Sequence, residues 1–118
     1  MKLLPLFILS IFVSSLSGEN INISQSAKGN GSGIDANNSH SIAWVNTASS
    51  WGAGASKIEP GDTIILNGIL TTPITILASG TAASPIRIVF AKDAKYSAPT
   101  YTTGGGSGLI NATSKSFI

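Results

Sequence analysis

The acidic side chains are the first candidates for chemistry, because paired carboxylates carry out acid–base catalysis and bind divalent cations. The chain of 118 residues has five of them, which are scattered: Glu19, Asp35, Glu59, Asp62 and Asp93. No two share a motif that would set paired carboxylates at the ~5–9 Å separation of glycoside hydrolysis. Asp62 follows a glycine at a strand entry and Asp93 lies in a Lys-Asp-Ala-Lys turn, so turn roles are predicted for both. The sequence therefore predicts no catalytic residue.

The basic and metal-ligating residues are equally sparse. His40 is the sole histidine and Arg87 the sole arginine, and there is no cysteine. Without other ligand-type residues nearby, His40 predicts no metal site. Arg87 is expected to face outward from a strand, where a solvated position is favoured over contact with an acidic sugar. We expect no metal ion and no cofactor in this chain.

Two tryptophans in one short segment are the strongest aromatic signal. Trp44 and Trp51 fall on the same face of a short amphipathic helix predicted within 41–55, which ends near Gly52 or Gly54 and has Ser39 or Ser41 as its N-cap. Two uses remain open: packing against the core, which is favoured, or stacking on a carbohydrate. Tyr96 and Tyr101 carry the same pair of alternatives.

Glycine-rich stretches at 28–33 and 104–108 predict loops. The first lacks the Lys-Ser/Thr ending of a phosphate-binding P-loop, so a flexible surface loop is predicted rather than a nucleotide site. The second could overhang a binding groove, although flexibility alone explains its composition.

Short β-branched runs bounded by turn residues predict strands over most of the chain. The runs are 21–24, 63–67, 74–76 and 86–90; the predicted inward residues of the last three are Ile64, Leu66, Ile74, Ile76, Ile86, Ile88 and Phe90. Charged residues are only 10% of the chain, which also favours a turn-rich β architecture. The spacings of Ile64, Ile86 and Ile110, and of Thr75, Tyr96 and Phe117, suggest a repeat of about 22 residues. Such a repeat is typical of a β-solenoid.

The N-terminus has the layout of a signal peptide. A lysine precedes an apolar run at 3–13 that is too short to span a bilayer, and small residues follow it. Cleavage is favoured over an uncleaved anchor, so residues 1–18 are predicted to be removed. We expect a secreted, extracellular protein without stable membrane insertion.

The low net charge of the full chain excludes one partner class. The formal net charge is only +2, and no basic cluster forms a footprint for nucleic acid. We expect no nucleic-acid partner.

The segments 61–68, 73–76 and 79–88 together resemble the opening of right-handed parallel β-helix proteins of the pectate-lyase-like superfamily. The resemblance covers about residues 20–118 and implies an all-β, right-handed parallel β-helix. Only its N-terminal capping helix and first coils would be present. The predicted organisation is a signal peptide at 1–18, a strand, loop and capping helix at 19–57, and truncated first coils at 58–118.

The resemblance also implies a function for the parent protein. That protein would act on polysaccharide, as a lyase-like enzyme of acidic glycans or a glycoside hydrolase whose active site lies beyond residue 118, with Ca²⁺ implied only there. A continuation of the same β-helix would then be a partner. The alternatives are a non-catalytic adhesin or surface-type protein and a purely structural cap. For residues 19–118 alone we expect no turnover of uronate polymers.

Overall fold

The computed structural model describes residues 18–97 and 109–118. The predicted signal peptide apart from Gly18, Tyr101 and the 104–108 loop lie outside the described residues. Within the described ranges, no helix has the length and apolar character needed to cross a bilayer.

Short strands alternate with single-turn helical segments along the chain. The strands are β1 (Asn20–Ser24), β2 (His40–Ser41), β3 (Thr63–Leu66), β4 (Ile69–Leu70), β5 (Ile74–Thr75), β6 (Arg87–Phe90), β7 (Lys95–Tyr96) and β8 (Ile110–Asn111). The helical segments are α1 (Ile42–Val45) and two 3₁₀ turns at Ala36–Asn38 and Ala48–Ser50.

The described strands pair in parallel and fall into three sheets. The largest has the order β2-β1-β3-β6, and the two smaller sheets pair β4 with β7 and β5 with β8. Parallel pairing needs a crossover between partners, which the helical segments and loops supply.

The prediction of an all-β right-handed parallel β-helix with an N-terminal capping helix is wrong. The described residues form an α/β-type arrangement of short parallel strands in three sheets, with few helical segments, and they give no closed solenoid. The strands themselves were predicted in about the right places. The error lies in how they were assembled.

The uniform repeat of about 22 residues is the specific mistake. Paired residues are 24 positions apart between β3 and β6, 26 between β4 and β7, and 36 between β5 and β8. Ile64 pairs with Ile88 rather than with Ile86. Ile110 pairs in a different sheet, with Ile74. The predicted column of isoleucines therefore does not exist.

The second predicted column fails in the same way. Thr75 pairs with Asn111, and Tyr96 pairs with Leu70. Side chains alternate with a period of two along a strand, so a register shift of two residues leaves the same face inward. Hydrophobic alternation alone therefore could not separate Ile86 from Ile88 as the partner of Ile64.

The core follows the alternation of the strands. Ile64 and Leu66 of β3 are fully buried, as predicted, and so are the inward residues Ile74 and Ile76. Phe90 was predicted to point inward but is 47% exposed. The full buried apolar set is Ile21, Ile23, Ile42, Val45, Trp51, Ile58, Ile64, Leu66, Leu70, Ile74, Ile76 and Ile86.

A buried amide pair links β1 to the residue after β3. Asn67 lies on the outward side of the alternation in the 63–67 run, but its side chain is buried. Its Nδ2 donates to Oδ1 of Asn22 at 3.1 Å and to the carbonyl of Ile65 at 3.0 Å. Asn22 in turn donates from Nδ2 to the carbonyl of Gly33 at 3.2 Å. Buried amides are tolerated here because their polar atoms have partners.

The predicted helix over 41–55 is much shorter than expected. Only α1 is α-helical; Ser41 is its N-cap, accepting from the backbone N–H of Trp44 at 3.1 Å. Trp51 lies beyond it and forms an isolated parallel bridge with Ile58. The two tryptophans therefore do not share a helix face.

Truncation of Leu66 to alanine is expected to lower the free energy of unfolding by about 2–5 kcal/mol, because it leaves a cavity in the core. The matched control is Ile69→Ala, which removes a side chain that is 57% exposed and is expected to change stability by less than about 0.5 kcal/mol. Urea unfolding followed by circular dichroism measures both. Equal effects would contradict the described core.

For Tyr96 we expect a substitution that does not lower stability. Its hydroxyl is buried without a hydrogen-bond partner among the described residues, and burial raises the pKa of Tyr96 to about 12. Removing an unpartnered hydroxyl is neutral or stabilising, so Tyr96→Phe should leave the unfolding midpoint unchanged or raise it. A clear fall in the midpoint would mean that the hydroxyl has a partner.

Candidate functional site

A cleft of about 380 Å³ lies beside the start of β1, and we call it the His40–Trp44 cleft. It is lined by Glu19, Asn20, Ile21, Ser32, Gly33, Ile34, His40, Trp44 and Ser56. Four stretches of chain meet there: the entry to β1, the loop at 32–34, the β2–α1 junction and the loop at 52–57.

Two aromatic rings form one wall of the cleft. The imidazole of His40 and the indole of Trp44 stack with ring centroids 3.6 Å apart and planes inclined by 3°. His40 belongs to β2 and Trp44 to the first turn of α1, so the N-cap of Ser41 fixes the angle between them. Stacking covers one face of each ring, and both rings are held by secondary structure rather than by a free loop.

A loop held by its own hydrogen bonds also lines the cleft. Asp35 caps the 3₁₀ turn through Oδ1, which accepts from the backbone N–H groups of Asn37 at 2.8 Å and Asn38 at 2.9 Å. The carbonyl of Asn38 accepts from the N–H of Gly33 at 2.6 Å, and the carbonyl of Gly33 accepts from the N–H of Asn22 at 2.8 Å. The glycine-rich segment was predicted to be a flexible loop, but these bonds tie it to β1.

The cleft requires glycine at position 33, because there is no room for a Cβ. It has a φ of +77°, and a Cβ there would lie 2.6 Å from Cδ2 of His40 and 3.3 Å from Cγ2 of Ile21. The backbone of Gly33 therefore packs directly on the imidazole. Any larger residue would push His40 away from its present position.

Burial lowers the pKa of His40 below its ordinary value. The cause is loss of water around the ring, which disfavours the charged form. At neutral pH the imidazole is therefore neutral and has one donor and one acceptor nitrogen. Among the lining residues, Glu19 is then the only one with an ionised side chain.

The other residues singled out from the sequence lie elsewhere. Trp51 is buried, and its indole N–H donates to the carbonyl of Val45 at 2.6 Å, so it packs in the core. Arg87 is exposed on β6, as predicted. Asp93 has a φ of +65° in an exposed turn, which agrees with its predicted turn role.

Asp62 also has the turn role predicted for it. Its side chain is 2% exposed; Oδ1 accepts from the backbone N–H of Glu19 and Oδ2 from that of Glu59, both at 2.8 Å. In the described part of the chain, no three His, Cys, Asp or Glu side chains come together as metal ligands.

Several lining residues were not selected from the sequence. Ser32, Ile34 and Ser56 carry no motif, and they reach the cleft only through loop geometry. The one available signal was Ile34, a large apolar residue in a polar glycine-rich loop; it is 72% exposed. An apolar side chain in such a place is typical of a contact surface.

Comparison with protein-family models, curated proteins and solved structures gives no match.

Burial of His40 should lower the pH at which its imidazole is protonated. We expect its NMR titration midpoint below 6.5, and since the folded pKa is lowered, stability is unaffected above 6.5 and falls as pH drops towards the folded value. The chain has one histidine, so a single imidazole resonance reports the value. A midpoint at or above 6.5 would contradict the described packing.

Gly33→Ala should displace the imidazole and raise the pKa of His40 towards 6.5, because the ring gains water. The matched control is Gly31→Ala: Gly31 has a similar φ of +67°, but its new Cβ would meet only the Cβ of Ala27, at 3.9 Å. Both variants carry the same backbone strain, and only Gly33→Ala should move the titration. Equal shifts in the two variants would assign the effect to strain.

Proposed function

We propose that this protein binds polysaccharide through the His40–Trp44 cleft. The observation that carries the proposal is the stacked pair of rings, 3.6 Å apart, beside polar side chains in an open cleft. The C–H groups on one face of a sugar ring pack well on a flat aromatic surface. The hydroxyl groups at its edge need hydrogen-bond partners nearby.

The polar groups around the rings suit such a ligand. Asn20, Ser32 and Ser56 offer amide and hydroxyl groups, and the neutral imidazole of His40 offers a donor and an acceptor. Binding sites of this kind place a few polar groups around an apolar contact surface, in volumes of roughly 300–1,000 Å³. The volume of the cleft lies within that range.

The charge of the cleft favours a neutral glycan. With His40 neutral, Glu19 is the one ionised lining side chain, and its carboxylate would repel the carboxylate of a uronate. This differs from the acidic-glycan substrate expected from the resemblance. A lyase-like enzyme and a non-catalytic adhesin both need a glycan-binding surface, so the proposed binding role is common to these two alternatives.

Secretion is part of the proposal. Its support is the apolar run at 3–13 after a single lysine, the layout of a cleaved signal peptide. Polysaccharide is an extracellular ligand class in that case, and the cleft would meet it outside the cell.

Trp44→Ala should weaken binding of neutral oligosaccharides by about tenfold, roughly 1.4 kcal/mol. The matched control is Phe90→Ala, which removes another part-exposed ring that does not line the cleft. NMR titration with neutral and uronate oligosaccharides measures affinity, and Glu19→Ala should reduce the preference for the neutral series. Equal affinities of the Trp44 and Phe90 variants would contradict a binding role for Trp44 and would show that its ring only packs within the fold.

A further inference from the structure

The carboxylate of Asp62 lies beside the first described residues of the chain, Gly18 and Glu19. It is 2% exposed, and the two partners that the described residues give it are backbone N–H groups, those of Glu19 and Glu59, each at 2.8 Å. Its own backbone is fixed as well: its N–H donates to the carbonyl of Glu59 at 3.1 Å, and its carbonyl accepts from the N–H of Arg87 at 2.9 Å.

A buried carboxylate is costly unless a positive charge accompanies it. The ionisable side chains adjoining this site are those of Glu19, Glu59 and Arg87, and all three residues are exposed. In the unprocessed chain, the group facing Oδ1 is thus a neutral peptide N–H. The same nitrogen would carry a full positive charge if the chain began at Glu19.

We propose that removal of residues 1–18 turns this contact into an ion pair between the α-ammonium of Glu19 and the buried carboxylate of Asp62. The inference rests on the secretion included in the proposed function. Hydrolysis of the Gly18–Glu19 bond consumes one water, leaves a carboxylate on Gly18, and leaves an amine on Glu19 that takes up a proton near neutral pH.

The geometry needs little rearrangement. The nitrogen is already 2.8 Å from Oδ1, which is the usual distance of a charge-assisted hydrogen bond, so cleavage adds a charge to the donor without moving it. The carbonyl of Glu19 accepts from the N–H of Thr63 at 2.8 Å, so the new terminus stays anchored to β3.

Gly18 shows how closely the chain passes this site. A Cβ on Gly18 would overlap the carbonyl of Gly61, the residue before Asp62. Before cleavage, residue 18 therefore occupies the space beside the turn, and only glycine fits there. After cleavage, that space becomes available to the protons of the α-ammonium.

The test uses the complete chain, secreted from cells and purified from the medium. Intact mass and N-terminal sequencing should place the first residue at Glu19. Acylation of the α-amine, followed by mass spectrometry of the N-terminal peptide, should be about fivefold slower at pH 8 than in Asp62→Asn, which corresponds to a pKa raised by about one unit from an ordinary value near 8. Asp93→Asn, which alters an exposed turn carboxylate, is the control and should react like the unmodified protein.

Each result decides the inference. A first residue other than Glu19, or equal acylation rates with and without the Asp62 carboxylate, would overturn it. If Asp62→Asn does not accumulate, the pH dependence of acylation of the unmodified protein replaces that comparison, and an α-amine midpoint at or below 8 would overturn it. Glycan affinity is measured separately, so cleavage at a bond other than Gly18–Glu19 would refute the ion pair and leave the binding proposal standing, whereas retention of Met1 would refute secretion itself.

Discussion

The register of β1 against β3 is the constraint on which the rest of the described structure depends. It is fixed at one end by Asp62, which binds the backbone N–H of Glu19. At the other end, Asn67 donates its backbone N–H to Ile23 and its side-chain amide to Asn22. A slip of one residue would turn every side chain of β1 to the opposite face. Both ends are held by polar groups that are buried, so such a slip would leave them without partners.

The position of the cleft follows from that register. Glu19, Asn20 and Ile21 form the floor because β1 begins where Asp62 holds it. Asn22 then binds Gly33, which brings the loop against the imidazole of His40. The strand that carries His40 and the loop that carries Gly33 are therefore both hydrogen-bonded to β1.

Strand positions could be predicted from the sequence, whereas their assembly could not. The β-branched runs at Thr63–Leu66 and Ile74–Thr75 form strands because alternation of apolar and polar residues is a local signal. Partner choice is not local: Ile86 and Ile88 present the same face, and only the geometry of the intervening chain selects Ile88. The crossovers differ in length, so no single repeat describes them.

The candidate site shows the same limit. The sequence selected Trp44 and Trp51 together because both are tryptophans. In the structure, Trp44 stacks on His40 in the cleft, whereas Trp51 packs in the core. The difference arises because α1 ends at Val45, which depends on tertiary packing more than on helix propensity. The serines and Ile34 of the cleft are brought there by loops, and loop geometry leaves little trace in sequence.

The buried amide pair has a consequence for production of this protein in eukaryotic cells. Asn22-Ile23-Ser24 matches the acceptor pattern for N-linked oligosaccharide, which is attached at the same Nδ2 atom that binds Gly33. An oligosaccharide there would prevent β1 from pairing with β3, whereas the matching pattern at the exposed Asn37 lies on an open turn. Molecules modified at Asn22 would therefore misfold, and correctly folded molecules would be unmodified at that position.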